Sequence, residues 1–130
     1  MRAFILLDCL WIALLLGFGG YLYREGAGRA ALREDAERIR KDLGYIQEAL
    51  EDARQAESLP AGESVPFTVY GKYLENGSSR LREKGMDPLG NPYGNQHSSG
   101  PPRVPAASAE SLKEVVGPDF WAPYSAMKPE

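Results

Sequence analysis

The chain has 130 residues, a formal net charge of −3, one cysteine and one histidine, which leaves room for a single small domain. Neither half is basic enough to form a nucleic-acid footprint. A lone cysteine, Cys9, excludes an intramolecular disulfide, and His97, alone in a Ser/Gly/Gln stretch, lacks the converging partners that a metal site or a general base requires.

Residues 4–23, FILLDCLWIALLLGFGGYLY, supply about 20 mainly apolar positions, enough at about 1.5 Å per residue to cross a hydrocarbon core of roughly 30 Å. Tyr21 and Tyr23 fall where an interfacial aromatic belt would lie. A secretory signal peptide is the competing reading. It fits less well, because the basic region is only Met1 and Arg2, Asp8 interrupts the apolar run, and no A-x-A pattern follows. Asp8 is the sharpest residue in the segment: a carboxylate at depth costs about 2.5–3.5 kcal/mol. Either it stays wet at the interface or protonated, or a cation neutralises it in the working state.

After the patch Gly26, Ala27 and Gly28, the spacing predicts a helix to about residue 58, so that residues 24–58 form an amphipathic stalk. Leu32, Ala36, Ile39, Leu43, Ile46, Leu50 and Ala53 recur at steps of three and four on one stripe. Glu34 with Arg38 and Glu37 with Lys41 are i,i+4 pairs in the favourable order. Ser58, ahead of Pro60 and Gly62, stops the helix. The stripe suits packing on the chain's own later residues, and it equally suits the seam of a coiled-coil dimer.

Residues 59–130 read as a small globular domain of short elements. Thr68 is a cap for a helix Val69 to Glu75, with a strand from Ser64 to Tyr70 as the alternative. The cluster 86–94 is a rigid double turn, in which Asp87 precedes Pro88, Asn91 precedes Pro92, and Gly90 is free to take positive φ before Tyr93. Tyr93 to His97 and Pro102 to Val104 can pair as a short hairpin. Ser108 is a cap for a last helix through Val116, stopped by Gly117 and Pro118. Phe120, Trp121 and Tyr124 are expected to help close the core, with Leu89, Tyr93, Leu112 and Val115, and a partner-binding patch is the alternative use of this aromatic tail. The fold class is therefore α+β: a long N-terminal helix, half transmembrane and half stalk, packed on short helices and a minimal antiparallel sheet. No nucleophile and base pair, phosphate loop or metal-ligand spacing is visible, so neither catalysis, a cofactor nor a metal is expected, and no nucleic-acid partner.

Two stretches carry a resemblance. Ala3, Phe4, Ile5, Leu6, Leu7, Asp8 and the apolar run that follows resemble the class III signal and hydrophobic helix of type IV prepilins and type II secretion pseudopilins. Asp87, Pro88, Leu89, Gly90, Asn91, Pro92 and Tyr93 resemble the DP-x-GNPY turn of the major pseudopilin type. The resemblance implies a leader of residues 1–3, cut by a prepilin peptidase between Ala3 and Phe4, and methylation of the new Phe4 amine. It also implies pairing of that amine with Asp8 of a neighbouring copy during filament assembly in the bacterial inner membrane. The partners would be the membrane, other copies or related subunits, and the peptidase. The N-terminus would be cytoplasmic and the C-terminal domain periplasmic, whereas the Lys/Arg count, with Arg24, Arg29, Arg33, Arg38, Arg40 and Lys41 after the span and only Arg2 before it, points the other way. A membrane-tethered scaffold dimerising through its stalk is the alternative function.

Overall fold

The structure, a computed structural model, describes residues 2–128, with side chains described from Gly28 onward. The expected leader 1–3, the cleavage pair Ala3 and Phe4, the span 4–23 and Asp8 lie outside the described side chains. Among the described residues, no helix is long and apolar enough to cross a membrane.

The chain forms two compact units, residues 1–32 and 33–130. Residues 2–32 of the first belong to helix α1 (Arg2–Glu57). The second is α+β. The later part of α1 is followed by β1 (Ser64–Val65), α2 (Phe67–Tyr70), a 3-10 turn Gly71–Tyr73, α3 (Ser79–Lys84), β2 (Gln96–His97), β3 (Arg103–Val104), α4 (Ala106–Leu112), a 3-10 turn Pro118–Trp121 and β4 (Ser125–Ala126).

The predicted apolar stripe is the core of this unit. Ala36, Ile39, Leu43, Ile46, Leu50 and Ala53 are buried within one chain, joined by Ala49 on the flank, while Leu32 is half-buried. Later residues supply Val65, Tyr70, Leu81, Tyr93, Val104, Leu112, Val116 and Trp121. Each fully buried Leu or Ile contributes about 1.5–3 kcal/mol, so the stripe is a large share of what holds so small a unit together. Leu89, Val115, Phe120 and Tyr124, expected in the core, are half-buried at its rim. Neither expected i,i+4 ion pair closes; instead Arg38 approaches Asp35, one turn back, at 4.0 Å.

The short elements depart from the sequence reading in four places. The helix expected from Val69 begins earlier, at Phe67, without a side-chain cap from Thr68, and tightens into the 3-10 turn by Gly71. Helix α3 was not foreseen, although Ser78 caps it by accepting from the Leu81 N–H and Gly85 closes it in the left-handed region. The last helix starts at Ala106 after Pro105 and ends at Leu112, so Ser108 lies inside it rather than at its cap.

The fourth departure concerns the sheet. The expected hairpin between 93–97 and 102–104 is absent, and there are two ladders of two residues per strand: β2 pairs antiparallel with β1, and β3 pairs parallel with β4. The two segments do meet, but through a side chain. Gln96 Nε2 donates to the Arg103 carbonyl at 3.1 Å while the Arg103 N–H donates to Gln96 Oε1 at 2.8 Å. The buried amide of Gln96 thus makes the pair of bonds that a facing peptide would make in a ladder.

Candidate functional site

The turn singled out in the sequence is built by Asp87. Its carbonyl accepts the Gly90 N–H at 3.0 Å and its own N–H donates to the Asn91 carbonyl at 2.9 Å. Its Oδ1 accepts the N–H groups of Leu89 and Asn91, each at 2.9 Å. An aspartate opening a turn can do this because its short side chain reaches the amides two and four residues on. Pro88 sets the next φ, and Gly90 takes φ +86. Met86 bridges Pro92, and the Tyr93 N–H donates to the Gly85 carbonyl at 2.9 Å, so the chain reverses tightly from Gly85 to Tyr93.

Two contacts dock this turn. On one side the Ser108 hydroxyl of α4 donates to Asp87 Oδ2 and accepts from Asn91 Nδ2 at 2.8 Å. Ser108 is fully buried; its role is to join α4 to the turn, and this is why it does not cap the helix. On the other side Tyr93 runs through the core and donates its hydroxyl to Asp42 Oδ2 of α1 at 3.2 Å. Asp42 is 3 % exposed. It also accepts the Ser78 N–H at 3.3 Å and the Ser78 hydroxyl at 3.0 Å. The same Ser78 hydroxyl caps α3. Asp42 therefore holds the start of α3 and the end of the turn on one helix.

Burial raises the Asp42 carboxyl above the ordinary carboxylate value, opposed by the Ser78 and Tyr93 hydrogen bonds, with the charge of Asp87 adding to the rise. Burial likewise pushes the Tyr93 phenol far up, and the carboxylate of Asp42 reinforces this. Tyr93 is thus a neutral donor at any physiological pH. Tyr70, raised by burial in the same way, donates to the Gly94 carbonyl at 2.8 Å just past the turn.

A second feature lies on the opposite flank of α1. Arg40 sits 5.6 Å from the centre of the Phe120 ring and donates to the Ala122 carbonyl at 3.3 Å. Phe120 in turn meets Trp121 edge-on at 5.2 Å. Between α1 and this segment runs an open groove of about 440 Å³, lined by Glu37, Arg40, Lys41, Phe120, Pro123 and Tyr124.

The structure therefore brings Asp87, Pro88, Gly90, Asn91, Pro92 and Tyr93 together as one turn, and ties it to Asp42, Ser78 and Ser108. Asp42 was not singled out in the sequence, yet a charged residue between Ile39, Leu43 and Ile46 on a helix is a visible anomaly beside an apolar stripe. Ser78 also carried a signal, since Ser followed by a helix-forming run and then Gly85 marks both helix ends. His97 is exposed. Among the described residues no group of three or more His, Cys, Asp or Glu could hold a metal ion. Comparison with family models, curated proteins and solved structures finds no match for the chain.

Proposed function

We propose that the chain is a structural subunit of a type IV pilus-like or type II secretion pseudopilus-like filament, anchored in a bacterial inner membrane and assembled through residues 4–23. The observation that carries this reading is the docking of the Asp87 to Tyr93 turn on a long N-terminal helix. The turn returns the chain so that Tyr93 meets Asp42, and the amphipathic half of α1 becomes the core of the small domain. Phe4 and Asp8 keep the roles the resemblance implies: a new amine after cleavage at Ala3, and the carboxylate that receives it. Asp8→Asn removes that charge at nearly constant size and should impair assembly while leaving insertion intact.

The coiled-coil scaffold is less well supported. Its seam would need the stripe from Ala36 to Ala53 on the helix surface, and those side chains are covered by their own chain.

The test is the mass of the N-terminal peptide recovered from membranes. A peptide beginning at methylated Phe4 is expected, whereas one beginning at Met1 in assembled material would remove the reading.

A further inference from the structure

Asn76 and Gly77 stand in the bend between the 3-10 turn Gly71–Tyr73 and α3. The position after Asn76 requires glycine. Gly77 has φ +121, and a Cβ there would lie 2.8 Å from Leu81 Cδ2 and 3.6 Å from Asp42 Oδ1. Asn76 itself is exposed, and among the described residues neither its side-chain amide nor the Gly77 N–H forms a hydrogen bond. The two other asparagines are guarded. Asn91 is followed by Pro92, whose nitrogen carries no hydrogen, and its amide is held by Ser108 at 2.8 Å. Asn95 precedes Gln96, whose buried side chain is fixed to the Tyr93 carbonyl and to both polar groups of the Arg103 backbone.

We infer that Asn76 is a site of spontaneous deamidation, and that its isoaspartate product frees the start of α3 from α1. The Gly77 nitrogen attacks the Asn76 side-chain carbonyl carbon. A new C–N bond closes a succinimide ring, the Cγ–Nδ2 bond breaks, and the leaving nitrogen takes the Gly77 amide proton and departs as ammonia. Water then opens the ring at either carbonyl, giving an aspartate, or an isoaspartate whose backbone is longer by one methylene. The reaction needs an exposed amide, an unengaged nitrogen after it and no side chain on that next residue, and residues 76 and 77 supply all three. It consumes only water and does not depend on how the chain assembles.

The site adjoins the clasp that holds α3. Ser78, the next residue, donates its N–H and its hydroxyl to Asp42 at 3.3 and 3.0 Å, and the same hydroxyl accepts the Leu81 N–H at 3.3 Å. An added methylene two residues before Ser78 displaces Gly77 and Ser78 together, while Leu81 leaves no room for Gly77 to move toward the helix. Hydrogen bonds weaken steeply with such misalignment. Asp42, 3 % exposed, then retains only Tyr93 among its donors, and a buried carboxylate short of partners favours an opened α3 that readmits water.

The experiment ages the full chain, purified in detergent, beside Asn76→Gln, which keeps an amide but closes the ring poorly. Tryptic peptide 73–80 should gain the acid and isoaspartate forms at least about tenfold faster than peptide 85–103, which holds Asn91 and Asn95, because only Gly77 leaves its nitrogen unobstructed. Amide hydrogen exchange at Leu81 and Arg82 should quicken in the aged wild type and stay unchanged in aged Asn76→Gln. Treatment with a protein isoaspartate methyltransferase and its methyl donor, which returns isoaspartate through the succinimide to aspartate, should restore the protection. A folded chain whose peptide 73–80 keeps its amide, while the urea-unfolded chain loses it, overturns the site. Complete conversion with unchanged exchange in α3, or lost protection that the methyltransferase does not restore, overturns the release of α3 by the lengthened backbone.

Discussion

The Tyr93 hydroxyl donates to the Asp42 carboxylate across 51 residues of chain, inside the core and 3.2 Å apart. This bond joins the end of the turn to the middle of the stalk. Asp42 holds the proton more tightly in the folded chain than in the unfolded one, because burial outweighs its hydrogen bonds. A carboxyl with a raised folded pKa adds stability that is complete below its unfolded value, near 3.8, and lost as pH rises through the folded value.

Asp42→Asn should therefore flatten the pH dependence of stability above pH 3.8. The asparagine still accepts the Ser78 N–H and cannot ionise. Urea midpoints of the two proteins across a pH series provide the check. A decline from acid to neutral pH in the wild type that disappears in the variant is expected, and an identical decline in both would show that Asp42 is not its source. Tyr93→Phe should cost about 1–2 kcal/mol, since it removes one donor from a buried acceptor.

Asp87 and Ser108 form a second pair whose energies should not add. Asp87→Ala strands the Leu89 and Asn91 amides as well as the Ser108 hydroxyl, and should cost about 2–4 kcal/mol. Ser108→Ala should cost about 1–2 kcal/mol. A double variant less destabilised than the sum of the singles, by at least about 0.5 kcal/mol, is expected for groups in one network. Strict additivity in chemical unfolding would mean that α4 and the turn are held separately.

Gly85 and Gly90 both have positive φ, +67 and +86, but they differ in surroundings. A Cβ on Gly85 would lie 2.6 Å from Phe67 Cγ, whereas one on Gly90 would have nothing within 4 Å. Gly90→Ala should cost about 1–2 kcal/mol from backbone conformation alone. Gly85→Ala should cost more and should displace the Phe67 ring from Tyr70, its edge-on neighbour at 5.5 Å. Thermal melting of the two variants ranks them, and equal losses would contradict the steric difference.

Leu43 is wholly buried at the centre of the stripe. In a fragment beginning at Gly28, Leu43→Ala should destabilise by about 2–5 kcal/mol, enough to unfold a marginal domain. The parent fragment should sediment as a monomer at all concentrations, and removing everything after Glu63 should melt its helix. A helical dimer that survives that deletion would instead place the stripe between two chains.

The features that the sequence determined by itself are those whose physics is local. The stripe from Ala36 to Ala53 was legible because a 3.6-residue period puts side chains three and four apart on one face, whatever covers them. The Asp87 to Tyr93 turn was legible because an aspartate, a proline and a glycine at those offsets each act on amides within four residues. Even Ser78 and Gly85 carried readable cap signals for α3. The pairing of the short strands was decided only by the tertiary structure: two-residue ladders have almost no local preference, and their partners are selected by where α1 holds each segment. The same is true of Ser108, which read as a helix cap until α4 was set against Asp87, and of Gln96, whose amide stands in for a peptide only because Arg103 lies opposite. Gly85 and Gly90 look alike in sequence, and Phe67 distinguishes them through space. Asp42 is the residue where both levels meet: its position beside the stripe is local, but its three donors come from Ser78 and Tyr93, and only the folded core brings those within reach.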